Sequence, residues 1–314
     1  MLALAVVTAT TAAAAFDLEA HRGGRGLAPE NSLAAFGRAL AIGVTTLELD
    51  LVVSRDEVLL IGHDLELDPA KVRGLDGRWL TAPGPAVHAL DAALLRRFDI
   101  GRLDPKSRYA GQWPEQLPVD GERMPTLGEL AALLEARGAR GVRLNLETKL
   151  RPDRPELAPP PERFAELLVG ELRRLGLLER STVQSFDWRT LRAVQRLAPE
   201  LSTACLTARQ RWLDNLADGS WTAGLRLAEH GNSVSRLVVA AGCRVWSPFH
   251  GDLDPAELRR ARDHGLLVLP WTVNEPERMR ELVALGVDGL ITDYPDRLRA
   301  VLAELGRELP AASP

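Results

Sequence analysis

The stretch that decides the fold is TTLELDLVV, Thr45 to Val53, a β-branched and leucine-rich run with two acids set inside it. Side chains two apart on a strand share a face, so Glu48 and Asp50 point together while Leu49 points away. A second run, VRLNLETK from Val142 to Lys149, pairs Glu147 with Lys149 by the same parity and puts Asn145 further down that face. Buried carboxylates without partners are unfavourable by on the order of several kcal/mol. Two strands that both break their apolar pattern toward the C-terminal end therefore predict one shared polar site.

Outward from these strands one unit recurs: a helix with apolar spacing, a glycine, then a short apolar strand. Asn31 to Ile42 leads through Gly43 into Thr45 to Val53, and Leu127 to Arg137 through Gly138 and Gly141 into Val142 to Leu146. Arg163 to Leu175 leads through Gly176 into Ser181 to Phe186, and Pro255 to His264 through Gly265 into Leu266 to Val273. Glu275 to Leu285 leads through Gly286 into Gly289 to Thr292. Glycine just past a helix is the expected left-handed stop, and strands alternating with helices indicate parallel pairing with crossovers. Phe16–Ala20, Ser202–Thr207 and Arg244–Pro248 complete a set of eight strands, and Val58 to Ile61 adds a short one that delivers His63. Eight such units predict an α/β fold, a closed (β/α)8 TIM barrel over residues 16–309 whose site lies at the C-terminal strand ends.

Leu65 to Met124 breaks the repeat. It is rich in Pro, Gly, Asp and Arg, carries Trp79, Tyr109 and Trp113, and contains one expected helix, Leu90 to Phe98. Its place directly after His63 makes it a candidate lid, an insertion after the second strand unit of an otherwise single domain. Arg151 to Pro161 reads as a loop at the same rim, and the chain after Leu309 as a short tail.

The 314 residues suffice for one large barrel, and a formal net charge of −4 with no basic run argues against a nucleic-acid partner. Met1 to Ala15 carries no charged side chain and resembles the end of a secretory leader without its basic start. It is too short and too broken by Thr to span a membrane. The location expected on that ground is periplasmic or secreted, with a cytoplasmic one as the alternative. The two cysteines, Cys205 and Cys243, read first as buried core thiols; a disulfide between them is the alternative in an exported protein.

The site residues fall in four short stretches: His21-Arg22-Gly23 with Glu30-Asn31, Glu48-Leu49-Asp50, His63-Asp64, and Glu147-Thr148-Lys149. The candidate ligands Glu48, Asp50 and Glu147 offer only oxygen, which suits Mg²⁺ or Ca²⁺ rather than zinc or copper. Arg22 and Lys149 supply positive charge to phosphate oxygens, Arg as a fork and Lys as a point charge. His21 and His63 are the natural acid and base, because imidazole ordinarily titrates near neutrality. Each piece alone has a plainer reading, such as a loop histidine or a salt bridge on one strand face. Four stretches ordered at strand ends point instead to metal-assisted phosphodiester chemistry.

With those residues in place, the chain resembles the glycerophosphodiester phosphodiesterases. The matching segments are HRGGRGLAPENSLAAF from His21, LELDLVVSRDEVLLIGHD from Leu47, PTLGEL from Pro125, NLETK from Asn145, QSFD from Gln184, WTVN from Trp271 and GVDGLITDYPD from Gly286. The resemblance implies a barrel with a small insertion after the second histidine, as in the periplasmic branch. It also implies hydrolysis of glycerophosphodiesters to sn-glycerol 3-phosphate and an alcohol. By position, Glu48, Asp50 and Glu147 resemble the family's divalent-metal ligands, His21 and His63 its acid and base, and Arg22 and Lys149 its phosphate contacts. Trp271 sits where the family packs an aromatic against substrate. The expected partner is a small molecule. Two rival readings are a lysophospholipase D- or sphingomyelinase D-like enzyme acting on lipids and a non-catalytic phosphate- or glycan-binding barrel. The head group, the choice of cation, the division of labour between the histidines and the oligomeric state are left open.

Overall fold

The computed structural model describes residues 15–313, so the leader read over Met1 to Ala15 lies outside them save for Ala15. Eleven strands are present among the described residues. They are β1 (Asp17–Ala20), β2 (Thr46–Val53), β3 (Leu59–Ile61), β4 (Arg143–Thr148), β5 (Ser181–Ser185), β6 (Ser202–Thr207), β7 (Arg209–Gln210), β8 (Leu213–Asp214), β9 (Val245–Pro248), β10 (Leu267–Val268) and β11 (Gly289–Thr292). Eight form a parallel path in the order β10-β9-β6-β5-β4-β2-β1-β11. Backbone bonds from Asp288 N to Val268 O (3.0 Å), Ile291 N to Pro270 O (3.0 Å) and Val273 N to Ile291 O (3.0 Å) join its two ends into a (β/α)8 barrel.

The strand expected over Leu266 to Val273 forms a continuous ladder only at Leu267–Val268, with one further parallel bridge from Trp271 to Phe249. Pro270 has no N–H to give, which interrupts the ladder, and the segment closes the ring through the Val268 and Pro270 carbonyls and the Val273 N–H. Where β1 and β11 meet, Gly289 is required: a Cβ there would sit 2.4 Å from Asp17 O. The helices supply the outer layer, with Phe36, Phe164, Trp188 and Trp246 buried between helices and sheet. Ser32 caps the first helix, α1 (Leu33–Ile42), by accepting Ala35 N. Thr126 and Glu129 close a reciprocal capping box on Leu127–Ala136.

β3 pairs antiparallel with β2, with Leu51 opposite Ile61, and so carries the chain back to the mouth for His63. The segment that follows has a small core of its own, built by Leu67, Val72, Val87, Leu95 and Met124 on Val52 and Leu60. Its expected helix shrinks to one turn, Ala92–Leu95. Trp113 is buried with Leu27 and Tyr294, and the Tyr109 hydroxyl donates to Glu30. These aromatics therefore do not form the apolar rim a lipid substrate would require.

The two cysteines are bonded, Cys205 to Cys243, which corrects the expectation of core thiols. β6 and β9 are parallel neighbours with Ala204 opposite Val245, and the cysteine Cα atoms lie 5.9 Å apart, within bridging range. No helix among the described residues is long and apolar enough to cross a membrane.

Candidate active site

The mouth of the barrel is built first by the turn after β1. His21–Gly23 form a single helical turn in which Arg22 takes a left-handed φ of 52°. Gly23 is obligatory there, because a Cβ would lie 2.8 Å from Ala35 Cβ. The turn sends the Arg22 N–H to Glu48 Oε2 (2.8 Å) and its guanidinium to Glu30 Oε1 (3.0 Å). Arg22 Nε lies 3.2 Å from Asp50 Oδ2 without the alignment of a hydrogen bond. Asn31, also left-handed at φ 56°, brackets Asp50 by donating to Oδ2 (2.9 Å) and accepting its N–H (3.2 Å). Non-glycine residues held in this region of backbone space cost about 1–3 kcal/mol each and cluster at functional sites.

The strand parity read from sequence holds. Glu48, Asp50 and Glu147 are all buried, and each offers an oxygen within 4.8 Å of the others. Lys149 Nζ reaches Glu147 Oε1 at 2.6 Å and Asp50 Oδ1 at 3.4 Å. Asp50 Oδ1 is buried and accepts no hydrogen bond. Burial, then the neighbouring Asp50 and Glu147 charges, pushes the Glu48 carboxyl well above its ordinary range. Burial also pushes Glu147 up, to about 7, although Lys149 opposes it. For Asp50, burial is outweighed by Arg22, then Lys149 and His63, and its carboxyl is held well below the usual range. Three acids this close with a bare buried oxygen fit a divalent cation: hard oxygen donors, mutual repulsion that such a charge relieves, and room left for phosphate.

Glu48 is aimed from below by a chain of amides in the barrel interior. Gln184 Nε2 donates to Glu48 Oε1 (2.7 Å), while Asn145 Nδ2 donates to Gln184 Oε1 (3.1 Å) and to Glu19 Oε2 (2.8 Å). Glu19 is buried, and desolvation together with Asp17 raises its carboxyl well above the ordinary range.

Each histidine rests on a carboxylate. His21 Nδ1 lies 2.6 Å from Asp293 Oδ1, which leaves Nε2 pointing at the acids, 4.0 Å from Glu48 Oε2. His63 Nδ1 lies 2.7 Å from Asp64 Oδ1. A carboxylate acceptor fixes the proton on Nδ1 and leaves the Nε2 lone pair available. Burial lowers His21 to about 4 against the pull of Asp293, with Arg25 and Arg22 adding to the drop. Burial, then the Arg22 and Lys149 charges, lowers His63 as well, so both rings are neutral at pH 7. Asp293 also accepts from Arg25 Nε (2.7 Å) and Asn274 Nδ2 (2.7 Å). Asp64 accepts from Lys71 Nζ (2.7 Å), which also reaches Glu30 Oε1 (3.0 Å).

All eight residues singled out from sequence are near this mouth. Seven of them line a cleft of about 640 Å³, and the eighth, Asp50, lies beneath it, fully buried. Trp271 sits on its far wall, edge to face with Phe186 at 5.3 Å. Sequence reasoning gave no role to Arg25 and Lys71 and read Tyr109 only as one of the aromatics of the candidate lid, the last two because the segment after His63 carries no periodic pattern to anchor its residues. It also missed the β7–β8 hairpin, whose tip carries Trp212; the only signal was an exposed Trp between arginine and leucine.

The chain matches the sequence profile of the Glycerophosphoryl diester phosphodiesterase family over residues 21–297 and belongs to that family. It is similar to the glycerophosphodiester phosphodiesterase of Caldanaerobacter subterraneus, 28% identical over 283 residues, covering 89% of this chain and 94% of that one. A family structure from Silicibacter pomeroyi superposes with a TM-score of 0.84 at 34% identity, covering 94% of this chain and 95% of the other. A phosphodiesterase from Oleispira antarctica, solved with its product sn-glycerol-3-phosphate, shares the fold at 22% identity, TM-score 0.64, covering 91% and 96%.

Proposed function

We propose that the protein hydrolyses glycerophosphodiesters to sn-glycerol 3-phosphate and an alcohol, with Glu48, Asp50 and Glu147 holding a divalent cation, Ca²⁺ or Mg²⁺. One observation carries the reading: three buried carboxylates converge within 4.8 Å, beside Arg22 and Lys149, in a cleft that two imidazoles also line. When bound, such an ion supplies Lewis-acid polarisation of a phosphate oxygen.

The chain's own groups do the rest. Arg22 and Lys149 meet the non-bridging oxygens and offset charge that builds on them in the transition state. One neutral imidazole takes the proton of the attacking hydroxyl, water or the glycerol 2-hydroxyl, through its Nε2. The other, protonated at Nε2 from solvent once the anionic substrate is bound, gives that proton to the departing alkoxide, and the first ring then loses its own to solvent. The anionic substrate raises the pKa of both rings as it binds, which brings them toward the range where they can also give a proton up. Each transfer contributes about 100- to 10,000-fold. Asp293 and Asp64 hold the ring orientations throughout.

The segment from Leu65 to Met124 is read as a lid on the single barrel domain, since Leu65, Glu66, Leu67, Asp68 and Pro69 line the cleft wall. Export to an oxidising compartment is supported by the buried disulfide; N-terminal sequencing of the protein recovered from its host tests it.

The deciding experiment is hydrolysis of a panel of glycerophosphodiesters after chelation, with Ca²⁺ and Mg²⁺ added back singly. Release of sn-glycerol 3-phosphate only with added cation supports the reading. Undiminished turnover in chelator removes the metal from it, and no turnover of any diester removes the function.

A further inference from the structure

Only 5% of this chain is aromatic, yet Phe186, Trp212, Trp221 and Trp271 all line the one cleft. They lie over the β5–β6–β9–β10 arc, away from the strand that delivers His63. Trp212 is the unusual member. It is 60% exposed, sits at the tip of the two-residue strands β7 and β8, and is braced edge-on by Phe249 (5.7 Å) and Trp271 (6.0 Å). The hairpin itself is pinned, because Asp252 accepts Arg209 N (2.7 Å) and Gln210 Nε2 (2.6 Å). A large indole left 60% exposed on a fixed hairpin, facing a cleft rather than a core, gains less for folding than burial would give it.

The geometry points to this aromatic wall as the subsite for the alcohol half of the diester, selective for a quaternary ammonium head group of the choline type. The inference rests on the reading of the cleft as a glycerophosphodiester site. The selection follows from what the wall lacks. Leu206 and Leu213 add apolar surface beside the rings, and the Trp271 indole N–H is already spent on Ser247 O (2.9 Å). A polyol head group would recover only part of its hydrogen bonds there, from Thr272 and the indole N–H groups of Trp212 and Trp221, and a primary ammonium would find few acceptors among the rings for its three N–H groups. A trimethylammonium group has no donor to leave unsatisfied and is attracted by aromatic faces.

The test uses the full-length protein with its activating cation and compares glycerophosphocholine, glycerophosphoethanolamine and glycerophosphoglycerol in the wild type, Trp212→Ala and Trp212→Phe. Expected is a kcat/KM for the choline ester at least fivefold above the other two. In Trp212→Ala that selectivity falls about five- to tenfold, mainly through KM, and Phe restores most of it. Equal selectivity in wild type and Trp212→Ala overturns the proposal while leaving the phosphodiesterase reading intact. Should no diester be hydrolysed, that reading fails separately, and tryptophan fluorescence titrated with choline chloride against sodium chloride still decides the subsite. Saturable quenching lost in Trp212→Ala supports it; identical, unsaturable quenching in both proteins overturns it.

Discussion

Asp293 Oδ1 stands 2.6 Å from His21 Nδ1, and the same carboxylate gathers Arg25 and Asn274. An acid this well supplied with donors stays ionised: burial pushes it up, but Arg25 and His21 hold it well below the usual range. Its work is to keep the proton on Nδ1 so that Nε2 faces the acids. Asp293→Asn presents an amide that can offer N–H to the ring instead. A fall in kcat of roughly 100-fold is expected, the scale of one general acid–base contribution, with KM moved less than threefold. Steady-state kinetics on any hydrolysed diester checks it; a change in KM alone would count against the orienting role.

Lys71 reaches the site from outside the barrel repeat and neutralises Asp64 and Glu30 together. Its side chain is 11% exposed, and Lys71→Met takes the ammonium from Glu30, 10% exposed, and from Asp64, 30% exposed. Loss of about 1–3 kcal/mol of stability is expected, less than for a fully buried pair, because Glu30 keeps Arg22 and Tyr109 and Asp64 keeps His63. Activity should drop more than tenfold at temperatures where the variant is still folded, because Asp64 then orients His63 less firmly and Glu30 steadies Arg22 less. Lys71→Arg should recover part of both, as read by thermal denaturation and turnover.

Cation binding should be visible without chemistry. A ligand that binds only the folded state at 100 times its Kd adds about 2.7 kcal/mol. Adding Ca²⁺ or Mg²⁺ to chelated protein should therefore raise Tm by several degrees. Glu48→Gln or Glu147→Gln should shrink that rise, whereas Asp153→Asn, on the exposed rim, should not. Differential scanning calorimetry at two cation concentrations measures the effect.

On the far side of the barrel, Glu257 provides a pH test. Its Oε1 accepts Ser233 Oγ, Ser235 N and Ser235 Oγ, each at 2.7 Å, and its other oxygen meets Arg260. Burial works against the charge, but these donors win and carry the carboxyl from 4.5 down to about 2. The folded value lies below the unfolded one, so the stabilisation is full above about pH 4.5 and disappears as pH falls toward 2. Glu257→Gln should cost about 1–3 kcal/mol at pH 7, and urea melts should bring mutant and wild type together as the pH falls to about 2.

The disulfide should be both buried and stabilising. Cys205 is fully buried and Cys243 nearly so, and the bridge closes a separation of 38 residues. The paired change Cys205→Ala with Cys243→Ala should lower stability by about 2–4 kcal/mol. Native protein should resist dithiothreitol until it is unfolded, as thiol titration would register.

The parity of Glu48 with Asp50, and of Glu147 with Lys149, made the heart of the site legible, because a period of two is a property of any strand. The helix–glycine–strand unit was equally readable where a left-handed stop exists. It failed for Trp188–Leu197, which ends at Ala198 before a proline rather than at a glycine, and for Val234–Ala240, too short to show a face. Leu266 to Val273 looked like one long strand because hydrophobicity does not record the hydrogen bond that Pro270 cannot make. The pairings of Lys71, Tyr109 and Arg25 were hidden for another reason: their partners Glu30, Asp64 and Asp293 are brought to them by tertiary approach, which leaves no spacing in the chain. The cysteine pairing was hidden likewise, since it depends on β6 lying beside β9.

Glu30 is where the loop bearing Arg22 meets Lys71 and the Tyr109 hydroxyl. The excursion is thus no exchangeable cassette. An engineer who trims it, or grafts one from a relative, must carry over an ammonium and a phenol in the same places, or the arginine in the cleft loses its footing.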